Sequence, residues 1–137
     1  MILIDTHVLI WLMNGDDRLG LGARQRVAEA AETTNVHVSA ITPWEIALLA
    51  RKGRLALGRD TVAWIDAALG MPGMMLAPIS PEIAIDAVHL PGDLHKDPAD
   101  RFIVATARHH GWPLITADAA IRAYATGGHV NAIDARL

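Results

Sequence analysis

Five short apolar or β-branched runs recur along the chain, separated by segments with helical spacing. The runs are MILID, NVHVSAI, MMLAPI, WPLIT and HVNAI. MILID has the character of a strand buried on both faces, and NVHVSAI alternates like a second strand. Between the runs, Val8, Leu9, Trp11 and Leu12 keep helical spacing, and a helix is expected from about Leu21 to Ala31. In TPWEIALLARKG, Thr42 is expected to cap a helix, with Pro43 first, Glu45 closing a capping box and Gly53 as the stop. Asp60 and Pro81 open two more helices. A further one runs from HKDPAD to His110 with Gly111 as its stop, and ADAAIRAYA is a short last one. This alternation predicts an α/β fold with a mostly parallel sheet of about five strands. Such sheets place their functional sites at the carboxyl ends of the strands.

Composition narrows the chemistry. The chain has 137 residues, the size of one domain, and buries roughly two thirds of its unfolded surface. Hydrophobic residues make up 52% and charged residues 20%, a globular composition. The absence of cysteine removes disulfides, zinc–thiolate sites and cysteine nucleophiles. A net charge of −3 argues against a generally basic coat for nucleic acid, but not against local basic patches around an acidic site. No basic n-region precedes MILID, and GMPGMMLAPISPEIAI is broken by Gly, Pro and Glu82. No membrane span is expected, and cytoplasmic residence is the default reading. Neither GxGxxG nor GxxxxGK[ST] occurs, so no phosphate loop of those kinds is present.

The strand-end rule singles out four acids. Asp5 ends the first strand, Asp118 follows the fourth, and Glu45 lies in the first turn of the helix after the second. Asp100 lies in the first turn of the helix before the fourth strand. Each has an ordinary structural role as a helix cap or first-turn acid. In DPAD, however, Asp97 with Pro98 already accounts for the helix start, and Asp100 is surplus to it. Jointly the four converge at one sheet edge if the topology also brings Asp100 there. Converging carboxylates repel unless a cation neutralises them, and oxygen ligation suits Mg²⁺ or Mn²⁺. The matching chemistry is metal-assisted phosphodiester hydrolysis.

With these residues in order, the chain resembles a PIN-domain ribonuclease, and more narrowly a VapC-type toxin of a toxin–antitoxin pair. The carrying segments are MILIDTHVLIW, SAITPWEIALLARKGRL, HKDPADRFIVATARHHG and PLITADAAI, which together span nearly the whole chain. The resemblance implies a PIN-like three-layer α/β/α domain over residues 1–137. It implies Asp5, Glu45, Asp100 and Asp118 as the catalytic acids, with Asp5, Asp100 and Asp118 holding Mg²⁺ or Mn²⁺. It implies endoribonuclease activity on single-stranded RNA, a homodimer and an antitoxin that blocks the site. Thr116 matches a hydroxyl residue common before the last acid, and Thr6 is a second candidate to orient a carboxylate. Asp97 competes with Asp100 for the third position; Asp100 directly precedes the RFIVATA run that such toxins share.

Other features have plainer readings. Arg51, Lys52, Arg54 and Arg59 form a basic cluster, first a solvated helix end and second a guide for RNA backbone. Trp11, Leu12, Trp44, Leu48 and Leu49 are expected mostly in the core by spacing, with some lining an antitoxin groove under the toxin reading. His7, His89 and His95 show no HxH or HExxH pattern, so no zinc site is expected. Two alternatives stand beside the ribonuclease. Another Mg²⁺-dependent phosphoryl-transfer enzyme is disfavoured, because DTH replaces the DxD of haloacid-dehalogenase-like phosphatases and no lysine follows Lys96 for a receiver domain. A non-catalytic PIN-fold binding module would show no divalent-cation binding.

Overall fold

The computed structural model describes residues 1–137. Five strands form one wholly parallel sheet: β1 (Ile2–Ile4), β2 (Val36–Ser39), β3 (Met74–Ala77), β4 (Leu114–Thr116) and β5 (Ala132–Asp134). Helices α1 (Thr6–Asn14) and α2 (Leu21–Ala31) join β1 to β2, and α3 (Thr42–Arg51) and α4 (Thr61–Leu69) join β2 to β3. Helices α5 (Pro81–Val88) and α6 (Pro98–His110) join β3 to β4, and α7 (Ala119–Ala125) precedes β5. No helix is long and apolar enough to cross a membrane.

Alternation along the strands divides the core into two layers. Ile2 and Ile4 face Val8, Leu9 and Trp11 of α1, Val27 of α2, Ile46 of α3 and Trp64 of α4. Leu3 and Leu114 face Ile83 of α5, Ile103 and Val104 of α6, and Ile121 of α7. Both faces of the sheet are therefore covered, giving the α/β/α sandwich expected from the strand character. A fully buried isoleucine such as Ile103 contributes about 1.5–3 kcal/mol over its exposed state.

The strand order is β3-β2-β1-β4-β5. The chain steps outward from β1 to β2 and β3, then returns to the other side of β1 as β4. The direction of winding thus reverses between β1 and β4. A crevice opens there, outside the carboxyl ends of these two central strands. The Asp5 amide donates to the Ile115 carbonyl at 3.1 Å, which closes the base of that crevice.

Two sequence expectations need correction. Thr42 does not cap α3: it is the first helical residue, Ile41 occupies the cap position, and no side-chain cap bond forms. Thr42 is instead fully buried, with its Oγ1 3.1 Å from Thr6 Oγ1. A buried hydroxyl needs a partner, and here Thr6 supplies one. The Glu45 carboxylate is correspondingly free of the box and faces the crevice. The second correction is Trp44, which is 48% exposed on the outer side of α3 rather than in the core, whereas Trp11 is buried.

Candidate metal centre

Each acid named from the sequence is delivered by a helix entrance at the crevice. Asp5 ends β1 and caps α1, its Oδ1 accepting the Val8 amide at 2.9 Å. Its Oδ2 accepts a hydrogen bond from the Thr116 hydroxyl. Both oxygens are thereby fixed in direction. Asp118 caps α7 through Oδ1 and the Ile121 amide at 2.9 Å, and its own amide donates to Thr116 Oγ1 at 3.0 Å. Thr116 therefore ties Asp5 to the segment that carries Asp118, across 111 residues of chain. Asp97 caps α6 by accepting the Asp100 amide at 3.1 Å, and Pro98 starts the helix with φ preset. Asp100, one turn in, is left with its carboxylate unspent on capping.

The topology brings all four together. Asp5, Glu45, Asp100 and Asp118 line one cavity of about 460 Å³, and Asp97 lines it with them. Oxygens of Glu45, Asp97 and Asp100 lie within 4.8 Å of one another. A second group, His95 with Asp100 and Asp118, is equally tight, so Asp100 belongs to both. Thr6, which adjoins Asp5, and His7 also line the cavity, as do Arg18 and Arg54.

The electrostatics follow from that crowding. Asp100 is pushed up to about 8, first by burial and then by the charges of Asp97, Asp118, Glu45 and Asp5. Burial also raises Asp5, with the Thr116 and Val8 hydrogen bonds opposing it. Glu45 is raised by burial, offset in part by hydrogen bonding from Thr6. A protein holding this many carboxylates in a half-buried cavity has a site of unbalanced negative charge. A divalent cation is the ligand whose chemistry balances it.

Asp97, expected as the cap and as a competitor for the third acidic position, takes both places. It caps α6 and also faces the cavity, because the first turn of α6 points its N-terminus into the crevice. His95, which sequence pattern sets aside only as a zinc ligand, stands beside the acids. Its Nε2 lies 3.1 Å from Asp100 Oδ2 and 3.9 Å from Asp118 Oδ1. The only sequence signal for it is its place five residues before Asp100. Of the basic cluster, Arg54 alone lines the acidic cavity; Lys52 joins it, with Trp44, Leu48 and Leu49, in an adjoining groove beside α3.

Residues 2–127 match the PIN domain family. The chain belongs to the PIN-domain family. Among curated relatives, this PIN domain is 36% identical over 123 residues to Ribonuclease VapC22 of Mycobacterium tuberculosis, covering 90% of this chain and 91% of that one. Its fold matches VapBC2 from Rickettsia felis, solved bound to a DNA fragment from its promoter. The TM-score is 0.68 at 13% identity, covering 97% of this chain and 98% of that chain. It also matches FitAcB from Neisseria gonorrhoeae, with a TM-score of 0.63 at 21% identity and 98% and 97% coverage. Membership of the PIN family fits a divalent cation to this carboxylate cavity.

Proposed function

We propose that this PIN domain, acting over residues 1–137, is an Mg²⁺- or Mn²⁺-dependent endoribonuclease and the toxin of a toxin–antitoxin pair. The observation that carries the reading is the single cavity into which five carboxylates converge, with Asp100 pushed up to about 8 by burial and by its neighbours. The 36% identity to a protein named as a ribonuclease supports RNA as the substrate.

Asp5, Asp100 and Asp118 would hold the cation. When bound, it would supply charge stabilisation at a scissile phosphate and acidify an attacking water. The chain's own residues do the rest. Thr116 keeps the Asp5 carboxylate turned into the crevice. Glu45, raised by burial and beside Asp100, is placed to accept a proton at its carboxylate. Arg54 lines the same cavity and offers positive charge to an RNA backbone, whereas Arg18, in the same lining, is paired with Asp16.

The partner reading rests on α3. Trp44 is half exposed there, and with Leu48, Leu49, Pro98 and Ala99 it lines a groove adjoining the acidic cavity. An amphipathic antitoxin segment laid in this groove would cover the site entrance. The protein acts as a homodimer in the cytoplasm. Expression from an inducible promoter is expected to arrest growth. Asp5→Ala is expected to abolish the arrest, and so is co-expression of a cognate antitoxin. Normal growth with abundant soluble protein would overturn the toxin reading.

A further inference from the structure

A histidine beside the cavity, in contact with two of its acids, has no task in the reading above. His95 lies in the loop between α5 and α6, with Nε2 3.1 Å from Asp100 Oδ2. Its other nitrogen, Nδ1, accepts the Asp97 backbone amide at 3.2 Å. A neutral imidazole that accepts at Nδ1 carries its hydrogen on Nε2. Nε2 is therefore a donor aimed at Asp100 and has no lone pair to offer a cation.

The loop that presents this donor is itself held. The Arg101 guanidinium donates to the Leu94 carbonyl at 2.9 Å and to the Ala87 carbonyl at 2.8 Å, with a longer bond of 3.4 Å to the His95 carbonyl. Arg101 follows Asp100 directly in α6. The residue after the acid thus fixes the loop whose histidine reaches the acid. The His95 side chain is 34% exposed, so it is not there to fill the core. Thr116 stands in a comparable relation to Asp5, one hydrogen bond to one carboxylate oxygen.

We propose that His95 is a positioning residue for Asp100: its Nε2–H holds Oδ2 in place and leaves the other carboxylate oxygen directed to a divalent cation. This rests on reading the cavity as a cation site. Loss of a hydrogen-bond partner behind a ligating carboxylate typically weakens metal affinity about 10- to 100-fold. His95→Ala is expected to do so.

Calorimetric titration of Mn²⁺ into the purified full chain tests this. His95→Ala should bind Mn²⁺ about 10- to 100-fold more weakly than the parent. His95→Gln, whose side-chain amide donates from a similar position, should recover most of the affinity. Equal affinity of parent and His95→Ala overturns the positioning role and leaves the cation site standing. Equal weakening in both variants assigns the loss to packing and overturns it too. Pulsed electron paramagnetic resonance on the Mn²⁺-loaded parent gives an independent check. No directly coordinated nitrogen is expected, and finding one would make His95 a ligand instead. A parent that binds no Mn²⁺ at all sinks the cation-site reading itself.

Discussion

Without a cation, the ionised carboxyl group of Asp100 is unfavourable. It faces four other acids in a half-buried cavity, and burial with their charges moves it from its ordinary value of 3.8 up to about 8, favouring the protonated form. The folded state therefore binds a proton that the unfolded chain releases. The sign follows from linkage: this group's contribution to stability is fully present below about 4 and is lost as pH rises through about 8. In EDTA, Asp100→Asn should progressively gain on the parent between those limits. The gain is at most about 1.4 kcal/mol per pH unit, one proton's worth. Thermal or urea unfolding of both proteins from pH 5 to pH 8 measures it, and parallel stability curves would contradict the electrostatic account. Asp5, Glu45, Asp100 and Asp118 were legible in the sequence because each sits at a strand end or a helix entrance, where side-chain direction follows from local structure. His95 was not legible. Its contact with Asp118 spans 23 residues and depends on how the α5–α6 loop is folded back by Arg101.

At the scale of elements, the helix entrances serve two purposes at once. Asp97 both ends the exposed amides of α6 and adds charge to the cavity. The two roles separate by substitution. Asp97→Asn and Asp97→Ala each remove the charge, but Asn retains a side-chain cap and Ala does not. The Ala variant should be less stable than the Asn variant by about 1 kcal/mol in chemical denaturation. Equal stabilities would mean that the cap bond to the Asp100 amide contributes nothing. The five strands and seven helices were readable from short apolar runs, capping residues, Pro at helix starts and Gly at their ends. At Gly111, for instance, φ is +69°, the left-handed geometry that ends α6. The capping box at Thr42 misled because a Thr-Pro-Trp-Glu pattern carries no information about the distant Thr6, whose hydroxyl takes Thr42 instead. Trp44 misled similarly. Helical spacing identifies an apolar stripe on α3, not whether this chain or another one covers it.

At the scale of the molecule, function depends on a reversal that no local pattern encodes. The parallel sheet was expected from alternating strands and helices, but the order β3-β2-β1-β4-β5 is a tertiary fact. It sets β1 beside β4, so Asp5 and Asp118 become neighbours although far apart in sequence. It also folds α6 back so that its N-terminus supplies Asp97 and Asp100 to the same crevice. Sheet topology thus converts five unremarkable acids into one charged cavity, and that charge suits a divalent cation. The most direct measurement is cleavage of single-stranded RNA by the purified chain. Cleavage should require added Mg²⁺ or Mn²⁺, stop with EDTA, and fall at least about 100-fold in both Asp5→Asn and Asp100→Asn. Cleavage that survives EDTA, or that is unchanged in both variants, would contradict the account.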